Sequence, residues 1–279
     1  MWRGEQRALP SVRGLRTGGS ELSAAELRPG LDRPLQISIG RVPLRLFIPE
    51  GGLLRRARRR YGDFSSTGGV GLPIRLYRKG DAAATGAFSY NLEGASLVLR
   101  SKGAEFRGVR HEYALDSLLR ILLTVVLLPR RGFLLHAATV VRDGRAYVFA
   151  GRSGAGKSTV ASLSPSGSVL TDEISLLRWT AGGWRAYGTP FWGEFRAAGQ
   201  NAHYPLAGIY SLVQASEERL EFLSAKAALR CLLPCVLFFA PERRAHESLL
   251  HTLVDFAADV PSHRLHFRRN AAFWKGIAA

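Results

Sequence analysis

Apolar and polar residues alternate over short stretches in the first part of the chain. Gly-rich turns separate these stretches. An alternation with a period of two is typical of half-buried β-strands. The alternating positions are Ile37 and Ile39, then Leu44, Leu46 and Ile48, then Ile74, Leu76 and Tyr77, then Leu97 and Leu99. We therefore predict a small β-rich or α+β module with one basic helix near residues 52–61.

Longer apolar stretches in the second part of the chain predict three helices. The first runs from Ser117 to Leu128, with Asp116 as its N-cap residue. The others cover residues 224–239, with a break at a proline, and 246–258. Packing in the core is the expectation for the last two, because their apolar residues recur with the helical period.

Two strands and a tight turn are predicted directly after the first of these helices. The strands cover residues 132–141 and 146–150, and the turn is Asp143-Gly144. The division that these patterns suggest is a disordered lead-in over residues 1–34, a β-rich N-terminal module over 35–114 and a larger domain over 115–279. We expect the larger domain to be of the α/β (α+β) class.

The composition indicates a globular protein without a membrane span. Of 279 residues, 46% are hydrophobic and 22% are charged, and a chain of this length buries about 75% of its unfolded surface. No stretch reaches the roughly 18 uncharged apolar residues of a membrane helix, and no secretory signal is readable. We expect a cytoplasmic protein in which Cys231 and Cys235 are reduced core residues.

The formal net charge of +17 raises the question of a polyanionic partner. The one local cluster of positive charge is the run from Arg55 to Arg60, and no aromatic residue is interleaved in it. A solvated helix face is the expected role of this run, and nucleic acid is disfavoured as a partner.

A glycine-rich sequence follows the second predicted strand and matches the phosphate-binding pattern G-x-x-x-x-G-K-[ST]. Its residues are Gly151, Arg152, Ser153, Gly154, Ala155, Gly156, Lys157, Ser158 and Thr159. In this pattern the glycines let backbone N–H groups turn towards phosphate oxygens, the lysine reaches the β- and γ-phosphates, and the serine hydroxyl binds Mg²⁺. The sequence thus predicts a site for ATP with Mg²⁺.

Several pieces of sequence in this order and spacing resemble the catalytic domain of the HPr kinase/phosphorylase family. They are His136-Ala137-Ala138, the Asp143-Gly144 turn, the loop from Gly151 to Thr159, and Leu170-Thr171-Asp172-Glu173-Ile174. The chain also resembles HPr-kinase-like proteins of peptide-modification clusters, including kinases of lasso peptides. The resemblance covers about residues 130–195, whereas residues 1–110 do not resemble the N-terminal domain of the HPr enzymes.

This resemblance implies a P-loop kinase domain related to phosphoenolpyruvate carboxykinase, with a mixed and strongly curved sheet. It implies that Asp172 is the catalytic base, that Glu173 lies on the metal side with Asp172 and Ser158, and that His136 lies near the phosphates. Glu194 is a further candidate for a metal or acceptor role, and Arg196 for neutralising the transferred group.

The expected function is therefore ATP-dependent transfer of phosphate to a hydroxyl, most plausibly a serine of a peptide or protein. Because the chain lacks the family's signature for phosphorolysis, we expect a kinase and not a bifunctional kinase/phosphorylase. Two alternatives stay open: a non-catalytic ATP-binding regulator, and an ATPase that acts with nucleic acid through Arg55 to Arg60. A homo-oligomer is compatible with the sequence.

Overall fold

The computed structural model describes residues 33–68, 70–77, 88–92, 95–100, 103–165, 167–191, 199–240 and 242–278. The chain forms two compact units. One comprises residues 1–126 with 240–245, and the other comprises 127–239 with 246–279. Both contain strands and helices, so the predicted mixed α/β class is confirmed at that level.

The first unit is built around a six-stranded sheet in the order β1-β2-β3-β6-β5-β4. The described elements of the unit are β1 (Leu35–Ile39), β2 (Val42–Phe47), α1 (Gly52–Arg60), β3 (Leu72–Tyr77), β4 (Phe88–Leu92), β5 (Ala95–Arg100), β6 (Gly103–Arg107) and α2 (Glu112–Val126). Parallel pairing joins β2 to β3 and β3 to β6, and the other neighbours are antiparallel. The alternating positions of the sequence lie in β1, β2, β3 and β5, as predicted, except that Ile48 directly follows the end of β2.

Asp116 is not the N-cap of a helix, which corrects the sequence-based prediction. The helix α2 begins at Glu112, and Asp116 is buried within it. Its carboxylate pairs with the guanidinium of Arg60 and accepts a hydrogen bond of 2.6 Å from the hydroxyl of Tyr61. Burial raises the pKa of Asp116, while the bonds from Arg60 and Tyr61 act in the opposite direction. The aspartate therefore holds α1 and α2 together by a buried ion pair.

The arginine run of α1 is only in part the solvated face that we predicted. Arg55, Arg58 and Arg59 are exposed. Arg56, by contrast, donates to Glu112 at 2.7 Å, and Arg60 is buried with Asp116. The helical period accounts for this difference, because every third or fourth position of α1 turns inward.

The second unit contains a nine-stranded mixed sheet in the order β11-β10-β7-β8-β12-β15-β13, with β9 and β14 also paired to β7. The described elements of the unit are β7 (Gly132–Arg142), β8 (Arg145–Ala150), α3 (Lys157–Ser162), β9 (Val169–Thr171), β10 (Ile174–Thr180), β11 (Gly183–Tyr187), β12 (His203–Gln214), β13 (Arg219–Phe222), α4 (Ala225–Leu232), β14 (Val236–Leu237), α5 (Arg243–Asp259), β15 (Ser262–Phe267) and α6 (Phe273–Ala278). Because β11 pairs with both β10 and β12, the sheet curves back on itself.

The predicted hairpin of two apolar strands is confirmed as β7 and β8. Its turn has positive φ at both central residues, 50° at Asp143 and 71° at Gly144, which is the geometry of a two-residue hairpin turn. The helix predicted within residues 224–239 and its break near Pro234 are confirmed: α4 ends at Leu232, and a short 3₁₀ turn follows. The apolar run after the break is not helical, because residues 236–237 form the strand β14. Pro234 in the 3₁₀ turn prevents α4 from continuing.

The helix α3 and the C-terminal α6 pack over a shared aromatic core of the second unit. Phe149 of β8 contacts Phe273 and Trp274 of α6 edge to face, at centroid distances of 6.1 and 5.7 Å. Val160 of α3 and Phe267 of β15 are buried in the same cluster. This packing fixes α3 and the loop before it against the sheet. None of the helices in the described part of the chain combines the length and hydropathy of a membrane span.

Candidate functional site

The middle of β7 brings the predicted site residues close together. Ala137 of β7 is the register partner of Ala150, the last residue of β8, and the glycine-rich loop begins at the next residue. On the other side of β7, the N–H of Ala137 donates to the carbonyl of Glu173 at 3.0 Å. Neighbouring strands lie about 5 Å apart. The start of the loop and the acidic pair are therefore two strand spacings apart, about 10 Å, with His136 in the middle of the strand between them.

The loop from Gly151 to Gly156 requires its glycines. The φ angles of Gly154 and Gly156 are +79° and +105°, a region that favours glycine because it carries no Cβ atom. A Cβ at Gly156 would lie 2.5 Å from the ring of Phe267, and one at Gly151 would lie 2.6 Å from the Cβ of Ala155. The three glycines thus allow the tight path that the phosphate-binding pattern predicts.

Lys157 is turned into the loop and not out to solvent. Its Nζ atom donates to the carbonyl oxygens of Gly151 and Arg152 at 2.8 and 3.1 Å, and the residue is 7% exposed. Ser158 and Thr159 occupy the first turn of α3 and are partly exposed. Gln214 at the end of β12 holds the loop from outside through a bond of 2.7 Å to the carbonyl of Gly154. The result is a fixed cationic loop with a hydroxyl residue next to its lysine.

Asp172 and Glu173 occupy a break between β9 and β10, which both pair with β7. Asp172 is 6% exposed, whereas Glu173 is partly exposed. Two threonine hydroxyls hold the backbone of this break by donating to the carbonyl of Ile174, Thr171 at 3.0 Å and Thr189 at 2.7 Å. Both threonines are buried, so the acidic pair projects from a rigid segment.

A second pair of hydroxyls lies behind the site and was missed by the sequence analysis. Thr139 of β7 and Ser175 of β10 share a hydrogen bond of 2.6 Å, and Ser175 donates to the carbonyl of Ala137 at 2.9 Å. Both are fully buried. The signal was present in the sequence, because each is a polar residue within an otherwise apolar strand, where its hydroxyl needs a partner.

Cys235 lies against the start of the glycine-rich loop, which the sequence did not indicate. The strand β14 pairs with Leu134 and Leu135 of β7, next to the place where the loop leaves the sheet. Burial raises the pKa of the Cys235 thiol, while Lys157, a hydrogen bond from the Gly151 backbone and Arg152 act in the opposite direction. Cys231 and Cys235 are both free thiols, as predicted, but only Cys235 is a buried core residue, whereas Cys231 is partly exposed.

The structure brings together the loop residues, His136, Asp172 and Glu173 around the middle of β7. Glu194 and Arg196 lie outside the described residues. The described residues contain no group of three or more His, Cys, Asp or Glu side chains that suits a metal ion. The groups of the site that could bind a metal ion are instead the hydroxyl of Ser158 and the carboxylates of Asp172 and Glu173. Such oxygen donors fit Mg²⁺, which takes one or two carboxylates and completes its shell with phosphates and water.

Comparison with known families assigns the second part of the chain to one of them. The model of the family described as "SynChlorMet cassette protein ScmC" matches residues 111–279. The match covers more than half of the chain and includes every residue of the site. No curated protein matches the chain.

Proposed function

The chain belongs to the family of the SynChlorMet cassette protein ScmC, and from its site geometry we propose that it is an ATP-dependent phosphotransferase. It transfers the γ-phosphate of ATP to a hydroxyl group, a serine of a peptide or protein. The second unit is proposed to be a P-loop kinase domain of the HPr kinase and phosphoenolpyruvate carboxykinase type. The strand–loop–helix order of β8, the loop and α3, and the curved mixed sheet around them, support this assignment.

The observation that carries the proposal is the register of β7. This strand holds the glycine-rich loop on one side and the Asp172-Glu173 pair on the other. Phosphoryl transfer needs a cationic cradle for the phosphates and, a short distance away, a carboxylate that orients the attacking hydroxyl. Both parts lie here on either side of the middle of one strand, at Ala137, on backbone fixed by buried hydrogen bonds.

The roles of the residues follow from their chemistry. The loop amides and Lys157 hold the β- and γ-phosphates and stabilise the charge that develops on them. Asp172 accepts the proton of the acceptor hydroxyl while the oxygen of that hydroxyl bonds to the γ-phosphorus. The bond from that phosphorus to the β-phosphate oxygen breaks, and ADP leaves.

The remaining polar groups serve the metal and the phosphates. Mg²⁺, when bound, neutralises charge on the phosphates, and Ser158 and Glu173 with Asp172 would hold it. His136 donates from the middle of β7 to a phosphate oxygen. Asp172 is thus proposed as both the base and a metal ligand, and Glu173 as a metal ligand. The two threonines that donate to the carbonyl of Ile174 fix the backbone that carries both carboxylates.

The test is transfer of label from γ-labelled ATP with Mg²⁺ into a fractionated host extract. Wild type is compared with Asp172→Asn and Lys157→Ala. Two matched controls change the same chemical groups at exposed positions, Asp143→Asn in the hairpin turn and Lys275→Ala in α6. ATP binding is measured on all five proteins, so that loss of binding and loss of transfer are separated.

We expect a labelled product with wild type and both controls. Asp172→Asn lowers the rate by about 10²–10⁴-fold, the usual contribution of a general base, and binds ATP like wild type. Lys157→Ala loses ATP binding. Transfer by Asp172→Asn at the wild-type rate would exclude Asp172 as the base. ATP binding that depends on Lys157, with no labelled product in any fraction, would favour the non-catalytic regulator.

A further inference from the structure

The outer face of the first unit's sheet carries arginines and aromatic rings side by side. Along β2, β3 and β6, alternate residues are buried in the core, and the residues between them are partly exposed. The partly exposed positions that matter here are Arg45 and Phe47 of β2, Arg75 and Tyr77 of β3, and Glu105 and Arg107 of β6. Register places Phe47 beside Arg75, Arg75 beside Glu105, and Tyr77 beside Arg107. These six residues form one continuous surface, which we call the arginine face.

The guanidinium groups of this face lie on its aromatic rings. Arg45 and Arg75 are 5.8 and 5.4 Å from the ring centroid of Phe47, and Arg107 is 4.8 Å from that of Tyr77. A guanidinium stacked on a ring is held in place while its N–H edges stay directed outward. Such edges bind carboxylates with two parallel hydrogen bonds.

The chain itself shows how this face binds a carboxylate. Glu105 accepts hydrogen bonds from Arg100 at 3.1 Å and from Arg107 at 2.8 Å. Burial alone would raise the pKa of Glu105, but the bonds from Arg107 and Arg100 lower it below its usual value. One end of the arginine face is therefore already neutralised by a carboxylate between two arginines.

The other end of the face has two further arginines, Arg45 and Arg75, on the ring of Phe47. Glu105 is the register neighbour of Arg75, but its carboxylate is bound by Arg100 and Arg107. Within the described part of the chain, neither Arg45 nor Arg75 has an acidic partner; Arg45 donates only to the carbonyl of Gly71, at 3.3 Å. Two guanidinium groups on one ring, without a negatively charged partner, favour the binding of an anionic group from another molecule. The four arginines and one glutamate around this face leave it with an excess of positive charge.

We propose that the arginine face binds an acidic peptide segment of a partner, with a side-chain carboxylate against Arg45 and Arg75. A peptide is favoured over single-stranded nucleic acid because guanidinium groups already occupy the rings of Phe47 and Tyr77. Proteins that bind single strands use open rings on which bases stack. The inference goes beyond the phosphotransfer reaction, because this binding needs neither nucleotide nor turnover.

The test is the change in fluorescence anisotropy of a short fluorescein-labelled peptide of alternating Glu and Gly, added to the full chain. The same peptide with Gln for Glu and a labelled oligothymidylate are the comparison probes. The double variant Arg45→Gln, Arg75→Gln is compared with Arg58→Gln, Arg59→Gln, which loses the same charge from the exposed side of α1. A third variant, Arg45→Lys, Arg75→Lys, keeps the charge but not the planar pair of donors.

We expect wild type to bind the Glu peptide and not the Gln peptide. Arg45→Gln, Arg75→Gln weakens binding roughly tenfold or more, the lysine variant weakens it less, and the α1 variant stays within about twofold of wild type. An equal loss in the α1 variant would show only an unspecific effect of charge and overturn the proposal. The proposal would also be overturned if the oligothymidylate bound more tightly than the Glu peptide and its binding were lost in the same variants. If the lysine variant bound the Glu peptide as tightly as wild type, paired hydrogen bonds from the guanidinium groups to the peptide carboxylate would be excluded. A melting curve for each variant shows whether it is folded.

Discussion

The two units of the chain each bury an aspartate, and they use it differently. Asp116 of the first unit lies in the middle of α2, where Arg60 and Tyr61 bond to its two oxygens. Asp172 of the second unit lies in a break between two strands, across β7 from the point where the glycine-rich loop begins. Burial alone therefore does not identify a functional carboxylate. The position on the sheet and the neighbouring loop distinguish the candidate base from the structural ion pair.

The strongest test of this comparison is removal of Asp116. Asp116→Ala leaves the buried guanidinium of Arg60 without its carboxylate, and breaking one side of a buried pair costs about 3–5 kcal/mol. We expect urea unfolding followed by circular dichroism to show a loss of this size. Asp172→Asn, which keeps the shape of the side chain, should lower the free energy of unfolding by about 1 kcal/mol or less.

The double variant Arg60→Met, Asp116→Leu is the control for the ion pair itself. Replacing both partners by apolar residues removes the unpaired charge, so it should recover much of the stability that Asp116→Ala loses. If Asp172→Asn destabilised the chain as much as Asp116→Ala, the distinction between the two aspartates would be wrong.

The misplacement of Asp116 shows what local sequence can and cannot predict. The apolar residues of α2 indicated a helix, and an aspartate before them has the residue type of an N-cap. The ion pair with Arg60, 56 residues away, is non-local. No pattern within one helix reveals such a partner, so the sequence could predict the helix but not the role of its aspartate.

The second prediction concerns the shape of the loop. Gly156→Ala places a Cβ 2.5 Å from the ring of Phe267 at a φ of +105°, and such strain costs about 1–3 kcal/mol. Either the loop or Phe267 must move, so we expect weaker ATP binding, measured by calorimetry, together with a lower melting temperature. Gly182→Ala is the control, since nothing lies within 4 Å of a Cβ there. Wild-type affinity in Gly156→Ala would show that the loop does not need this path.

The loop was predictable in detail, whereas the support of the acidic pair was not. Gly151, Gly156 and Lys157 have fixed spacing in a known pattern, and their local geometry follows from residue type. Thr189 reaches the carbonyl of Ile174 from a segment 15 residues away. Its role depends on how the strands of the sheet come together, which residue types alone do not determine.

The third prediction tests that support. Thr189→Val removes one of the two hydroxyls that bond to the carbonyl of Ile174, at a cost of about 1 kcal/mol. We expect a lower rate of transfer with unchanged ATP affinity, because the change moves the acidic pair and leaves the loop intact. Thr180→Val is the control: it removes a similar bond, from Thr180 to the carbonyl of Gly183, at the other end of β10. An equal loss of rate in both variants would show that the effect is general and not specific to the acidic pair.

The smallest expected effect is a difference in reactivity between the two cysteines. Burial raises the pKa of the Cys235 thiol, so less of it is thiolate at neutral pH, and the residue is 4% exposed. Cys231 is partly exposed. We expect iodoacetamide to alkylate Cys231 first, as mass spectrometry of the digested protein would show. Alkylation of Cys235 should become slower still with ATP and Mg²⁺, because a nucleotide that fixes the loop also covers the thiol beneath Gly151. If ATP protected both cysteines equally, a general stabilisation of the chain would explain the effect, and the contact between Cys235 and the loop would have no part in it.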